Sequence, residues 1–311
     1  MKKAVFALVL LAIKLSVAQA SIPQANREFA AGEHHAELAG VKFWYSVAGT
    51  GPVLVIQAPG WGVGSEYLRN GLAPLGQHFT LVYYDTRGSV RSRRPTDPKR
   101  MTTPDMVDDL EHLREFWRLD SMTLVGHSHG GAIALGYAIR YPKRVHKLVL
   151  VDSYIEDHDL GAERDREIAV RKNDPRFKDA IALMTSDFDP KTDEQFDSFL
   201  KRVLPLYFHD PVSALPRFAK TDTGPLPSVW AYHAFGAPDK PLMKEDGSLD
   251  RIEAQTLVIV GQADWICPVA ESQRIHQGIR NSQLVVLDNS GHFPWIEAPK
   301  QFFAEIIRFA K

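Results

Sequence analysis

The segment from Gly126 to Gly130 reads GHSHG, with a serine two positions from each of two glycines. A serine hydroxyl attacks acyl groups once a base takes its proton and a carboxylate orients that base. The apolar run Met122–Val125 precedes the segment, and small residues at 131–138 follow it. A strand, a tight turn and a helix in this order lift the central serine above a sheet edge. Ser128 is therefore the candidate nucleophile, and the alternative is an idle serine in a glycine-rich turn.

Two later residues could serve that nucleophile. Asp264 follows the apolar run Thr256–Val260, and His292 follows the run Gln283–Leu287. The chain order serine, acid, histidine is the one found where such a turn carries a triad. The carboxyl ends of parallel strands also meet at one sheet edge. We predict Asp264 as the acid and His292 as the base, with Asp152 as the reserve acid. The alternatives are a turn-forming aspartate and a structural loop histidine.

Acyl transfer also needs two N–H donors near the oxygen that becomes negative. The residue after the nucleophile, His129, is expected to supply one from its backbone. The other is expected from the loop after an early strand, where Pro59-Gly60-Trp61-Gly62 follows the run Val53–Ala58. We predict the backbone N–H of Trp61 as this donor. The alternative is a plain Pro-Gly turn.

Short apolar runs alternate with helical patterns from about residue 40 onward. Continuous apolar runs are typical of strands covered on both faces, which favours a parallel sheet flanked by helices. Thr103 is predicted to cap a helix that has Pro104 in its first turn, and the last helix is predicted over 299–310. The predicted strands are 41–47, 53–58, 80–84, 122–126, 147–152, 256–260 and 283–287.

The alternation stops between residues 156 and 250. Here the composition shifts to mixed charge and many prolines, with no strand-like run. We predict a helical cap over 156–250, inserted between two parts of one α/β core at 21–155 and 251–311.

The N-terminus is typical of an export signal. Lys2 and Lys3 precede an apolar run at 4–13, and Ala18-Gln19-Ala20 is a small-x-small cleavage site. We predict a signal peptide at Met1–Ala20 and a secreted or periplasmic protein. The alternative is a frayed amphipathic N-terminus. The apolar run is shorter than the roughly 20 residues that a membrane helix needs, so no stable membrane span is predicted.

Composition limits the remaining classes of function. The 311 residues are 44% hydrophobic, and the net charge is −1 with no basic run. Nucleic-acid binding, which needs a concentrated basic surface, is disfavoured. The single cysteine, Cys267, excludes a disulfide within the chain and a cysteine-based zinc site. A metal site at His127 and His129 lacks a third ligand at suitable spacing. We predict no metal, no cofactor and a small-molecule substrate.

Taken together, these motifs resemble the α/β-hydrolase superfamily, and within it the prolyl iminopeptidase-like serine hydrolases. The resemblance implies an eight-stranded, mostly parallel sheet with a helical cap, with Ser128 as nucleophile, Asp264 as acid and His292 as base. One departure weakens the peptidase prediction, because Pro59-Gly60 stands where iminopeptidases carry His-Gly-Gly-Pro-Gly. The matching stretches are 59–62, 84–92, 126–131, 261–264 and 290–292.

Three functions remain open on this reading. The first is a serine hydrolase that cleaves an ester, thioester or lactone of a small, fairly apolar molecule through an acyl-enzyme on Ser128. The second is a prolyl iminopeptidase-type aminopeptidase, and the third is a non-catalytic ligand-binding protein on the hydrolase scaffold. The first is favoured by cap aromatics that could line an apolar pocket, namely Phe188, Tyr207, Phe208, Trp230, Tyr232 and Phe235.

Overall fold

One mixed sheet forms the centre of the protein. The structure, a computed structural model, describes residues 28–237 and 242–311, so the predicted signal peptide lies outside the described residues. The strand order is β1-β2-β4-β3-β5-β6-β7-β8. The first two pairs in this order are antiparallel and the other five are parallel, which confirms the predicted sheet. The strands are β1 (Gly32–Leu38), β2 (Val41–Gly49), β3 (Val53–Gln57), β4 (Thr80–Tyr84), β5 (Met122–His127), β6 (Val145–Val151), β7 (Gln255–Gly261) and β8 (Ser282–Leu287).

Helices cover both faces of this sheet. Leu148 and Leu150 of β6 pack into the core on one face, while Val149 and Val151 pack into the core on the other. Alternate residues of a strand point to opposite faces, so burial on both sides produces the continuous apolar run seen in the sequence. The helices of the core are α1 (Glu66–Gly71), α2 (Thr103–Phe116), α3 (His129–Arg140), α9 (Val269–Gly278), α10 (Pro294–Glu297) and α11 (Pro299–Ala310).

The chain between β6 and β7 contains helices and no strand in the residues that the structure describes there. None of the helices within 28–237 and 242–311 has both the length and the apolar composition needed to cross a bilayer. The domain boundaries predicted from composition stay a prediction. The helices of this segment are α4 (Gly161–Arg171), α5 (Lys178–Met184), α6 (Asp193–Val203), α7 (Pro211–Phe218) and α8 (Val229–Phe235).

Two features differ from the sequence prediction. The strand β1 was not predicted, because it lies at the sheet edge and only Ala36 within it is fully buried, so no apolar run marks it. The cap of α2 is Thr102 rather than Thr103, and its hydroxyl accepts a hydrogen bond from the backbone N–H of Asp105 at 3.2 Å. Thr103 is the first helical residue, and its hydroxyl bonds elsewhere, as described below.

Candidate active site

Ser128 lies at the sharp turn between β5 and α3. Its backbone angles are φ 56° and ψ −128°, a conformation that costs energy for a residue with a side chain. A Cβ on Gly130 would lie 2.3 Å from the carbonyl oxygen of Gln57, and one on Gly126 would lie 2.5 Å from that of Gly130. The close approach of strand and helix therefore requires glycine on both sides of the serine. The serine stands at the N-terminus of α3, where the helix dipole favours negative charge.

The predicted acid and base are in contact. Nδ1 of His292 lies 2.8 Å from Oδ2 of Asp264, and both side chains are almost fully buried. The other carboxylate oxygen accepts hydrogen bonds from the backbone N–H groups of Ile266 and Cys267 at 3.0 and 3.1 Å. An acceptor at Nδ1 places the ring proton there and leaves Nε2 free to take a proton from a nucleophile.

Ser128 and His292 line the same pocket. The hydrogen bonds within the described part of the chain do not include one between their side chains. Catalytic hydrogen bonds are often long before substrate binds, so this arrangement is compatible with a serine–histidine relay. The structure thus joins the predicted acid to the predicted base, and places the predicted nucleophile on the wall of their pocket.

The reserve acid, Asp152, does not contact His292. It lies at the end of β6, fully buried, and Oδ1 accepts a hydrogen bond from the backbone N–H of Gly261 at 2.8 Å. Burial, and then repulsion from Asp264, raises the pKa of Asp152 well above its ordinary value. Two buried carboxyl groups that lie close together do not both ionise readily, so Asp152 is expected to stay protonated. Asp264 is therefore the acid that faces the histidine.

His127 holds the backbone of His292, a contact that the sequence analysis missed. Its Nε2 donates to the carbonyl oxygen of His292 at 2.9 Å, because a carbonyl can only accept, and its Nδ1 accepts from the hydroxyl of Tyr67 at 2.8 Å. Burial, with a smaller effect from nearby His292, lowers the pKa of His127 well below its ordinary value. Nothing in the spacing of these residues could have indicated the contact.

The loop at 59–62 is held by the side chain of His129. The backbone N–H of Gly60 donates to Nδ1 of His129 at 2.9 Å, and Nε2 lies 3.0 Å from the hydroxyl of Thr103. That hydroxyl in turn donates to Glu156. The N–H of Trp61 donates to no acceptor within the described chain. The oxyanion-hole roles of the backbone N–H groups of Trp61 and His129 stay predictions. From the sequence, a role was predicted for the backbone N–H of His129 and none for its side chain.

Comparison with known proteins agrees with this arrangement. Residues 52–299 match the family described as alpha/beta hydrolase fold. The chain belongs to the alpha/beta hydrolase fold family. The proline iminopeptidase PfmaB of Pestalotiopsis fici is 27% identical over 273 residues, which cover 84% of this chain and 93% of that protein. The predicted resemblance is therefore confirmed.

Two solved structures share the fold of this alpha/beta hydrolase. The enol-lactonase from Burkholderia xenovorans matches with a TM-score of 0.66 and 21% identity, covering 89% of this chain and 99% of the other. The esterase from Exiguobacterium antarcticum gives the same TM-score, identity and coverage. At 21% sequence identity, this structural similarity shows a shared fold and does not show a shared activity.

The pocket of this hydrolase has a volume of about 630 Å³. Trp61, Ser128, His129 and His292 all line it. Of the six predicted cap aromatics, three line it and three do not: Phe208 is buried in the core, Trp230 contacts Arg94, and the ring of Phe235 packs against His129. The lining includes the apolar residues Leu183, Met184, Phe188, Phe196, Phe199, Leu200, Leu204, Tyr207, Leu226 and Tyr232, and the charged residues Glu66, Arg91, Arg164, Asp197, Lys201 and Asp222.

One group of side chains could in principle hold a metal ion. Ligand atoms of Asp264, Cys267 and His292 lie within 4.8 Å of one another. The first and last of these already bond to each other, and burial raises the pKa of the Cys267 thiol well above its ordinary value. A thiol must lose its proton to bind a metal. The group therefore fits an acid–base pair better than a metal site.

Proposed function

We propose that this protein is a serine hydrolase that cleaves an ester, thioester or lactone of a small, fairly apolar substrate. The observation that carries the proposal is the buried hydrogen bond between Asp264 and His292 in the pocket lined by the strained Ser128. A strained serine beside an oriented imidazole is the arrangement that acyl transfer requires.

The reaction would proceed in two steps. Nε2 of His292 takes the hydroxyl proton as Ser128 attacks the carbonyl carbon, and the backbone N–H groups of Trp61 and His129 stabilise the oxygen that becomes negative. As the C–O or C–S bond of the tetrahedral intermediate breaks, His292 gives its proton to the alkoxide or thiolate, which becomes an alcohol or thiol (for a lactone, a hydroxyl that stays on the acyl chain), and Ser128 is left acylated. Water, deprotonated by His292, attacks the acyl-enzyme, and the proton returns to Ser128 as the acid leaves.

Two features support ester, thioester or lactone bonds over peptide bonds. The pocket wall contributed by α5 and α6 is mainly apolar, which suits an acyl or alkyl group. The loop at 59–62 begins with Pro59-Gly60, unlike the His-Gly-Gly-Pro-Gly of the iminopeptidases.

The test is labelling by a fluorophosphonate probe, which reacts with activated serines, followed by turnover of ester, thioester and lactone panels. We expect the wild-type protein to be labelled, and Ser128→Ala to lose both labelling and turnover. Labelling that survives the substitution would contradict the role of Ser128. Tight ligand binding without any turnover would instead support a binding protein on this scaffold.

An N-terminal aminopeptidase is the second candidate. Asp222 lines the pocket and forms no ion pair with any described residue, so it could bind a free amine. Burial, the largest effect, raises the pKa of this carboxyl. A relative is also called a proline iminopeptidase. Faster hydrolysis of a prolyl arylamide than of simple aryl esters would favour this candidate, and no hydrolysis of the arylamide would exclude it.

We also propose export, on the basis of the N-terminal pattern at Met1–Ala20. Cleavage after Ala20 would release a protein that begins at Ser21. Expression of the full chain, with N-terminal sequencing of the product outside the cytoplasm, tests this. A product that keeps Met1 and stays in the cytoplasm would contradict it.

A further inference from the structure

Three basic side chains line the pocket, and they differ in their partners. Arg91 forms ion pairs with two carboxylates, and Lys201 forms one with Asp197 at 2.7 Å. Arg164 has no carboxylate within 4.0 Å in the described part of the chain, and the acid Asp222 of the same pocket does not pair with it. Arg164 is thus a charge on the pocket wall that forms no direct ion pair with any described residue.

Arg164 is also hydrogen-bonded to the loop that carries the predicted acid. It lies on α4, and its Nε donates to the carbonyl oxygen of Ile266 at 2.8 Å. The N–H of the same Ile266 donates to Asp264 at 3.0 Å. The centre of the guanidinium lies 5.9 Å from the centroid of the Tyr154 ring. The arginine is therefore anchored at one nitrogen to the loop that carries the acid.

This anchor uses only one of the five N–H donors of the guanidinium. The two terminal nitrogens, Nη1 and Nη2, donate to no acceptor among the residues at 28–237 and 242–311. These nitrogens form a planar fork that matches the two oxygens of a carboxylate. Because the pocket wall is partly apolar, the Arg164 guanidinium is stabilised when an anion of matching geometry forms an ion pair with it.

We propose that Arg164 binds a carboxylate group of the substrate, so that the preferred ester, thioester or lactone carries a negative charge. This inference rests on the hydrolase function proposed above and narrows its substrate class. An acidic substrate would place its carboxylate on the guanidinium and its scissile carbonyl at Ser128, since both residues line the same pocket. Arg164 would then determine specificity, whereas the serine and histidine would carry out the chemistry.

Pairs of esters that share one scaffold and differ by a carboxylate test the proposal. On the acyl side, 4-nitrophenyl hydrogen succinate is compared with 4-nitrophenyl butyrate. On the alcohol side, 4-acetoxybenzoate is compared with 4-methylphenyl acetate. We expect the wild type to prefer the acidic member of at least one pair. Arg164→Gln should lower the acidic-to-neutral ratio of kcat/KM in that pair by about 10- to 100-fold, as expected for lost charge-assisted hydrogen bonds.

The same helix supplies a control. Arg166 is exposed and pairs with Glu163, so Arg166→Gln removes one positive charge from α4 at a position outside the pocket lining. We expect the ratio to stay at its wild-type value in this variant. Arg164→Lys, which keeps the charge but not the fork, should restore part of the preference.

The possible failures are distinguishable. If Arg164→Gln lowers kcat/KM equally for both members of each pair, the arginine only attaches α4 to the acid loop, and the inference is wrong while the hydrolase function stands. If no ester is cleaved, the proposed function fails, and calorimetry with the two acidic esters on Ser128→Ala decides the inference. The inference is supported if Ser128→Ala binds an acidic ester and the added Arg164→Gln substitution weakens that binding about 10-fold or more. Unchanged or undetectable binding overturns it.

Discussion

At the scale of single residues, His292 has hydrogen bonds at three points: its backbone N–H donates to Tyr207 at 2.8 Å, and two fully buried side chains hold the rest. Asp264 holds its Nδ1, and His127 holds its backbone carbonyl. The first contact sets the tautomer of the ring and the second sets the position of the loop. The neutral state of His127 matters for its own position, since only an unprotonated Nδ1 accepts the hydrogen bond from the hydroxyl of Tyr67. The site thus depends on which nitrogen carries each proton.

Replacing the acid should therefore cost more than replacing its buried neighbour. We expect Asp264→Asn to lower kcat by about 10³- to 10⁴-fold, because the amide no longer selects the tautomer that leaves Nε2 free. Asp152→Asn should cost far less, since a protonated carboxyl resembles an amide. Ester turnover by the two variants measures the difference, and equal losses would contradict the assignment of Asp264.

The protonation of His127 should appear in the pH dependence of stability. Its pKa is lowered in the folded state, so its stabilising contribution is present above the unfolded pKa of about 6.5 and is lost as pH falls below it. Relative to His127→Gln, the wild type should lose up to about 1.4 kcal/mol of unfolding free energy per pH unit in that range.

Denaturant unfolding between about pH 5 and 7 measures this. His35→Gln, which changes an exposed histidine of β1, is the matched control and should follow the wild type. If the unfolding free energies of the wild type and His127→Gln change equally with pH, the buried imidazole is not the source of the pH dependence.

At the scale of elements, the loop at 59–62 and helix α3 are joined by the ring of His129. Its Nδ1 accepts from Gly60, and the next N–H, that of Trp61, is the donor proposed for the oxyanion hole. The ring also contacts the hydroxyl of Thr103, at the start of α2. One side chain thus connects the turn after β3, the nucleophile helix and α2.

Substitutions of His129 should separate loop position from substrate binding. His129→Leu removes the acceptor for Gly60, and we expect kcat to fall by about 10- to 100-fold, part of the cost of one lost oxyanion donor, with KM little changed. His129→Asn can place an amide oxygen near the position of Nδ1 and should retain more activity. Steady-state kinetics on one aryl ester test this, and equal loss in both variants would contradict the positioning role.

At the scale of the whole molecule, the segment between β6 and β7 supplies most of the apolar pocket wall, while the sheet edge supplies the reacting groups. Hydrogen bonds join the start of this segment to its end: the N–H of Glu156 donates to Glu245, and Asp157 accepts from the N–H groups of Glu245 and Asp246. On the proposed function, the reacting groups and most of the substrate-binding wall therefore come from different parts of the chain.

Substitutions in α6 should therefore change substrate choice more than chemistry. Leu200 lines the pocket from this helix. We expect Leu200→Trp to lower the ratio of kcat/KM for an octanoyl ester to that for an acetyl ester by about 10-fold or more, because the larger ring occupies space that a long acyl chain needs. Leu200→Met, which conserves volume, is the control. An unchanged ratio in the tryptophan variant would place the acyl chain elsewhere.

Local signals in the sequence were enough for seven of the eight strands, their order along the chain and the choice of triad candidates. The strand at Thr80–Tyr84 and the helix at Pro299–Ala310 have the predicted bounds. Buried strands, tight turns and helix starts each impose a residue pattern on a few neighbouring positions. The segment around Ser128 combines all three patterns, so its place in the fold could be predicted without coordinates.

Only the tertiary structure decided which side chains meet. His127 and His292 are 165 positions apart, and Gly60 and His129 are 69 apart, so no local pattern could have predicted their contacts. That no carboxylate of residues 28–237 and 242–311 lies within 4.0 Å of Arg164 is likewise a property of packing, because acidic residues are plentiful in its part of the sequence. The edge strand β1 was missed for the same physical reason: its backbone pairing, rather than burial of its side chains, makes it a strand.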